Sequence, residues 1–257
     1  MRAEHGLSFW IEAGPHRLLF DTGQTPDALL HNADRLKIDL ATADAVVLSH
    51  GHYGHTGGLA EVLMRANHPR LLLHPGALQR RFSRRHDGSV QDVGMPDATD
   101  QARLREQSEL IYTERPTEII PGVVVTGQVP GTTDYEDTGG DFYLDEACTQ
   151  LDPIADDQAV FFDTLEGTVV LPGCAHTGVI NTLVYVRKLT DGRPISAVIG
   201  GMHLVTASCD RLDRTVQALR RLGVALIAPT HCTGAVATAR LWAEFPREWQ
   251  PCPREML

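Results

Sequence analysis

The segment Ser49-His50-Gly51-His52-Tyr53-Gly54-His55-Thr56-Gly57-Gly58 constrains this chain more than any other. It lies between Ala43 to Leu48, an apolar run that reads as a buried strand, and Leu59 to Ala66, which reads as a helix. Three histidines within six residues at such a junction call for a fold in which a strand ends, and a helix begins, at a functional site. The i,i+2 spacing of His50 and His52 puts both rings on one side of an extended segment. Gly51, Gly57 and Gly58 let the backbone bend tightly around whatever the rings hold. Imidazole is neutral near pH 7, carries a nitrogen lone pair and is the commonest metal ligand, so the run reads as a metal-binding loop.

The same grammar recurs later. A hairpin, Gln158 to Thr164 with Thr168 to Leu171, runs into Pro172-Gly173-Cys174-Ala175-His176. A strand, Ile195 to Ile199, runs into Gly200-Gly201-Met202-His203. Another, Val224 to Ala228, runs into Pro229-Thr230-His231. A Thr-Gly pair follows in His55-Thr56-Gly57, His176-Thr177-Gly178 and His231-Cys232-Thr233-Gly234, which suggests two related sheet units sharing one site. Imidazole ligands with a carboxylate suit zinc, iron or manganese, with zinc the default expectation. Of the 12 histidines, His5, His16, His31, His68, His74 and His86 have no comparable placement.

The rest of the chain reads as mixed α/β. Leu7 to Glu12 and Arg17 to Phe20 form a hairpin, and Thr25 caps a helix opened by Pro26. Leu71 to His74 is a strand. Ile180 to Lys188, Asp210 to Leu222 (capped by Ser208) and Ala235 to Glu244 are helices. Pro75 to Asp157 is an irregular insertion with a helix at Gln101 to Leu110 and a strand at Val123 to Thr126. Residues 1–257 are read as one domain, because neither half outside the insertion looks complete alone. A net charge of -10 argues against a general nucleic-acid binder. No apolar stretch suggests a leader or a membrane span. Five scattered cysteines without a C-x-x-C pair point to a reducing cytoplasm. The expected partner is a small anionic molecule, and the oligomeric state is not readable. Arg80, Arg81, Arg84 and Arg85, with His86, form the one dense basic patch. On a helix their i,i+4 spacing would let them grip a phosphate, the alternative being a solvated face. Tyr53 is placed to donate a hydrogen bond to substrate or to pack.

Phe20-Asp21-Thr22-Gly23, the Ser49 to Leu59 run, Gly173-Cys174-Ala175-His176, Gly200-Gly201-Met202-His203-Leu204 and Pro229-Thr230-His231-Cys232-Thr233-Gly234 resemble, in order, the motifs of the metallo-β-lactamase superfamily. More narrowly they resemble its branch of 7,8-dihydropterin-6-yl-methyl-4-(β-D-ribofuranosyl)aminobenzene 5′-phosphate synthases. The resemblance implies a four-layer αββα sandwich. It implies a first metal on His50, His52 and His176, and a second on His55 and His231. Asp21 becomes a supporting carboxylate, and His203 takes the place of a bridging Asp. Asp21, Tyr53 and His203 are thus the catalytic candidates.

Three departures accompany the likeness. The motif H-x-H-x-D-H has Gly54 where Asp is expected, which predicts one zinc ion and a weak or empty second site, since Cys174 and Cys232 are ordinary for the branch. Little chain precedes Ala3-Glu4-His5-Gly6-Leu7-Ser8 to supply the strand that relatives carry there. Gln128-Val129-Pro130-Gly131 lacks a basic residue after the proline. The resemblance implies a metal-dependent enzyme acting on a small anion, phosphorylated or otherwise, either a metallo-hydrolase or a dihydropterin-type transferase. A different class of reading is a degenerate member with one metal or none, serving as a binding or sensing module.

Overall fold

The computed structural model describes residues 1–85, 87–96 and 101–248, so His86 and Cys252 lie outside the described residues. They form two compact units: Met1–Glu114 with Asp141–Asp156, and Arg115–Gly140 with residues 157–248.

The chain opens with a hairpin of β1 (Phe9–Ala13) and β2 (His16–Phe20), followed by α1 (Pro26–Leu36). Thr25 caps α1 as the sequence predicts, its hydroxyl accepting from Ala28 N, and Pro26 occupies the first turn, where no amide donor is needed. Next come β3 (Ala45–Val47), α2 (Tyr53–Thr56), α3 (Leu59–Arg65) and β4 (Arg70–Leu73). The middle of the chain holds β5 (Phe82–Arg84), β6 (Val90–Asp92), α4 (Gln101–Gln107) and β7 (Glu109–Tyr112). It continues through β8 (Thr117–Ile120), β9 (Val123–Val125) and β10 (Phe142–Tyr143). The last part alternates β11 (Ala159–Thr164), β12 (Gly167–Pro172), α5 (Val179–Leu189) and β13 (Ile195–Gly201) with α6 (Cys209–Leu222), β14 (Leu226–Thr230) and α7 (Ala235–Glu244).

In the first unit a five-stranded sheet has the order β1-β2-β3-β4-β7, antiparallel at β1–β2 and parallel from β2 onward. Leu19, Val46, Leu71 and Leu73 of this sheet pack with Leu29 and Ala33 of α1, Val62 and Leu63 of α3 and Leu104 of α4. A small sheet, β10-β5-β6, completes the unit. In the second unit a six-stranded sheet has the order β14-β13-β12-β11-β9-β8, with β12, β13 and β14 parallel. Its core joins Val170 and Val198 to Ile180 and Leu183 of α5, Leu219 of α6 and Leu241 of α7. Parallel strands need both faces covered, and their continuous apolar runs reflect that.

Two local expectations change. The helix expected over Gln101 to Leu110 stops at Gln107, where Ser108 Oγ donates to Leu104 O (2.6 Å). Beyond it Leu110 pairs in register with Leu71, because an open sheet edge offers β7 a full ladder that outweighs weak helical propensity. The stretch from 75 to 157, read as irregular, supplies β7 to the first unit's sheet and β8 and β9 to the second unit's. Among the described residues no helix is long and apolar enough to cross a membrane.

Candidate metal centre

In the first unit, parallel pairing of β2 and β3 brings Asp21 and Ser49 together just beyond their strand ends. Asp21, fully buried and left-handed (φ 62), accepts from Ser49 N and Ser49 Oγ, both at 2.7 Å. Its Oδ2 also lies 2.7 Å from His55 Nδ1. A carboxylate there makes Nδ1 the donor and leaves Nε2 as the lone-pair nitrogen, the usual support for a ligating histidine. Ser49 Oγ sits 2.9 Å from His50 Nδ1, which turns His50 Nε2 toward His52, 3.0 Å from its Nδ1. Two nitrogens on one tetrahedral zinc at ~2.0–2.1 Å would be about 3.3 Å apart, so this pair fits a shared ion with little movement.

The loop between those rings is anchored from behind. Gly51 N donates to Asp156 Oδ2 (2.7 Å), and a Cβ at Gly51 would lie 2.3 Å from Ala77 O. Asp156 is itself held by Arg81, through Nη1–Oδ2 (2.8 Å) and Nη2–Oδ1 (2.5 Å), and Arg81 Nε lies 3.0 Å from Asp152. Burial pushes the Asp152 carboxyl up, and the Arg81 charge only partly offsets it.

These contacts correct the phosphate-gripping helix expected over Arg80 to Arg85. Residues 82–84 are strand β5, so the i,i+4 faces do not exist. Arg81 is 1% exposed and committed to two aspartates. Arg80 pairs with Asp92 over the Phe82 ring, Arg84 donates to Cys148 O over the Tyr143 ring, and Arg85 donates to Gln91. Tyr53 is half-buried at the start of α2, its N–H bonded to Val93 O. Gly54 is buried, and a Cβ there would lie 3.1 Å from His5 O, which leaves tight quarters for a carboxylate. His74 does have a strand-end placement after all: it follows β4, its Nδ1 accepts from Gly76 N (3.0 Å), and burial lowers its pKa.

In the second unit the ends of β12, β13 and β14 lie side by side. Ala175 (φ 56), His203 (φ 43) and His231 (φ 50) take the left-handed conformation there, strain of the kind that collects at functional sites. His176 Nδ1 lies 2.9 Å from Thr138 O. A carbonyl only accepts, so Nδ1 carries the proton and Nε2 is the acceptor nitrogen. The rings of His176 and His203 lie 4.1 Å apart. Gly139 (φ 76) abuts His203 so closely that a Cβ would fall 2.0 Å from its Cδ2.

The segment carrying Thr138 is pinned on both sides. Glu136 accepts from Ile180 N (2.9 Å) and Asn181 N (2.8 Å) at the start of α5, while burial pushes its carboxyl pKa up against those bonds. Asp137 is paired with the buried Arg211 and accepts from Gly139 N (2.8 Å). Asp157 Oδ2 accepts from Thr177 N (2.8 Å), next to His176. Two groups of candidate ligands result: Cys174, His176 and His203, and Cys174, His231 and Cys232, with ligand atoms within 4.8 Å of one another in each. Burial pushes the Cys232 thiol up, but hydrogen bonds to Cys174 and His203 and the His203 charge outweigh it, so its pKa falls well below the usual thiol range.

Sequence reasoning missed Asp156, Asp157, Glu136 and the Thr138 carbonyl as supports. Asp156 and Asp157 precede a strand, where such a pair more often marks a turn or a cap than a catalytic base. A backbone carbonyl leaves no signal at all.

A fold of this topology, with imidazole clusters at its strand ends, defines a class. Residues 1–231 match the family described as the metallo-beta-lactamase superfamily, and the chain belongs to it. Its relatives are more particular. The chain is 29% identical to 7,8-dihydropterin-6-methyl-4-(beta-D-ribofuranosyl)-aminobenzene-5'-phosphate synthase of Methanocaldococcus jannaschii, over 96% of this chain and 87% of that one. It is 32% identical to an uncharacterized protein of the same organism, over 93% of this chain and 88% of that one. Among solved structures it is similar to Tm1679, described as a metal-dependent hydrolase of the beta-lactamase superfamily. That likeness has a TM-score of 0.80 and 31% identity, over 98% of this chain and 90% of that one.

Proposed function

We propose that this chain is a cytoplasmic, metal-dependent hydrolase of a small anionic, phosphorylated substrate, with His50, His52 and His55 the metal-binding imidazoles of the first unit and His176 and His231 those of the second. The ligand assignment follows the order of the family's motifs. The observation that carries the reading is the way ring tautomers are set: Asp21 accepts a hydrogen bond from His55 Nδ1–H and Thr138 O accepts one from His176 Nδ1–H. Such backing serves ligation, since packing alone does not require a particular nitrogen to face outward. Zinc suits these donors, and iron or manganese would also be accepted. When bound, the ion supplies Lewis-acid polarisation of a substrate oxygen and lowers the pKa of water toward ~7.

The chain's own residues do the rest. Asp21 orients His55, Asp156 holds the Gly51 turn, Tyr53 offers a hydrogen bond to substrate, and His203 is the group to pass a proton to the leaving oxygen. A second reading is favoured by the likeness to the Methanocaldococcus jannaschii synthase: a phosphorylated arylamine displaces diphosphate from a dihydropterin-6-ylmethyl diphosphate, so that a carbon–nitrogen bond forms as the carbon–oxygen bond to diphosphate breaks. Incubation with both compounds and mass detection separates the two. Hydrolysis without a coupled product supports the first reading, and coupled product replaces it with the second. Protein purified without chelators that contains no metal would overturn both and leave a binding or sensing module.

A further inference from the structure

We propose that Cys174, Cys232 and His231 form a metal site of their own, in which two thiolates and one imidazole hold zinc or another soft divalent ion and a fourth position stays open. It rests on the metal-dependent reading above and adds ligands that the motif order does not single out.

The sheet itself builds this site. Strands β12, β13 and β14 are parallel neighbours, and the loops after the first and last carry Cys174 and His231-Cys232. Gly201, at the end of the middle strand, lies between them. A Cβ there would fall 2.8 Å from Cys232 Sγ and 3.2 Å from Cys174 Cα, so only glycine lets the two thiol loops close. Gly201 N donates to Gly173 O (3.1 Å) and Met202 N to Thr233 Oγ1 (3.2 Å), tying all three strand ends into one register. The two sulfurs and a His231 ring nitrogen consequently lie within 4.8 Å of one another, with Cys174 3% and Cys232 4% exposed. Two sulfurs on one tetrahedral zinc at ~2.3 Å would be about 3.8 Å apart, within reach of small side-chain rotations.

Structural cysteines are ordinarily inert groups in apolar surroundings. This pair instead shares its pocket with His176, His203 and His231, and Cys174 Sγ is the atom common to both candidate ligand groups. None of the described cysteines is in a disulfide. Both sulfurs bind as thiolates, any S–H proton they carry going to buffer, and two sulfur–metal bonds form with no change in oxidation state.

Cobalt(II) titration of the metal-stripped full chain tests the site. The expected result is a near-ultraviolet sulfur-to-cobalt charge-transfer band alongside the visible ligand-field bands. Cys174→Ser should lose about half of the charge-transfer band, and Cys174→Ser/Cys232→Ser all of it. Cys209→Ser, exposed on α6, should keep it whole. Visible bands without a charge-transfer band in the unaltered chain would overturn the thiolate site and leave the histidine reading standing. Absence of both would overturn the metal reading as well. X-ray absorption of the zinc-loaded, unmutated chain needs no variant to fold: a sulfur shell at ~2.3 Å supports the site, and a shell of nitrogen and oxygen alone overturns it.

Discussion

The two units build their histidine clusters by different means. In the first, His50, His52 and His55 come from one short loop, and the supports are charged side chains: Asp21 behind His55, and Asp156 with Arg81 behind Gly51. In the second, His176, His203 and His231 come from three separate strand ends, and the support for His176 is a backbone carbonyl. A contiguous loop has its spacing written into it but no rigidity, so it needs a buried scaffold to hold it. A distributed cluster takes its rigidity from sheet register, and its charged groups, Glu136, Asp137 and Asp157, hold the chain beside the rings rather than the rings themselves. The first should therefore fail when a charge is removed, and the second when the chain path is disturbed.

The largest expected effect is in the first unit. Arg81→Met leaves Asp152 and Asp156 buried without their cation, and breaking a buried pair from one side costs ~3–5 kcal/mol. Urea unfolding measures it. A loss below ~1 kcal/mol would place Arg81 among ordinary surface pairs and dissolve the contrast.

Next in size, Asp21→Asn should weaken zinc binding by about 10–100-fold, because the amide no longer accepts the His55 proton as a carboxylate does. Glu136→Ala, which removes the acceptor for two amides at the start of α5, should cost ~1–2 kcal/mol of stability and move zinc affinity far less. Calorimetric zinc titration and thermal unfolding of both variants would sharpen the comparison. Equal losses of affinity would mean that the second unit depends on side-chain support as heavily as the first.

The smallest effect concerns pH. Burial holds His74 below its ordinary 6.5, so the folded state binds fewer protons there than the unfolded chain. Its contribution to stability is present above pH 6.5 and is lost as pH falls from there through the lowered folded value. His74→Gln should flatten the stability profile below pH 6.5, and an unchanged slope would show that other groups govern that range.

Much of this was legible in the chain. The Thr25 cap followed by Pro26, the Ser208 cap and α7 stand where their local signals put them, because capping and helical periodicity are properties of neighbouring residues. Strand β7 did not, since its pairing with β4 depends on residues more than thirty positions away. The arginines around Arg81 looked like one solvated or phosphate-binding face. Only the fold reveals that Arg81 has two aspartates waiting for it from residues 152 and 156.

The sequence by itself determined the ligand chemistry: imidazoles at strand ends, glycines where the backbone must bend, and a family pattern lacking the carboxylate at Gly54. Those are local facts of residue type and spacing, and no fold can alter them. The tertiary structure decided which nitrogen of each ring faces outward and which charges are spent internally. It also decided that Cys174 and Cys232 meet beside His231. Such outcomes depend on strand register and on close approaches like that over Gly201, where a few tenths of an ångström separate a contact from a clash.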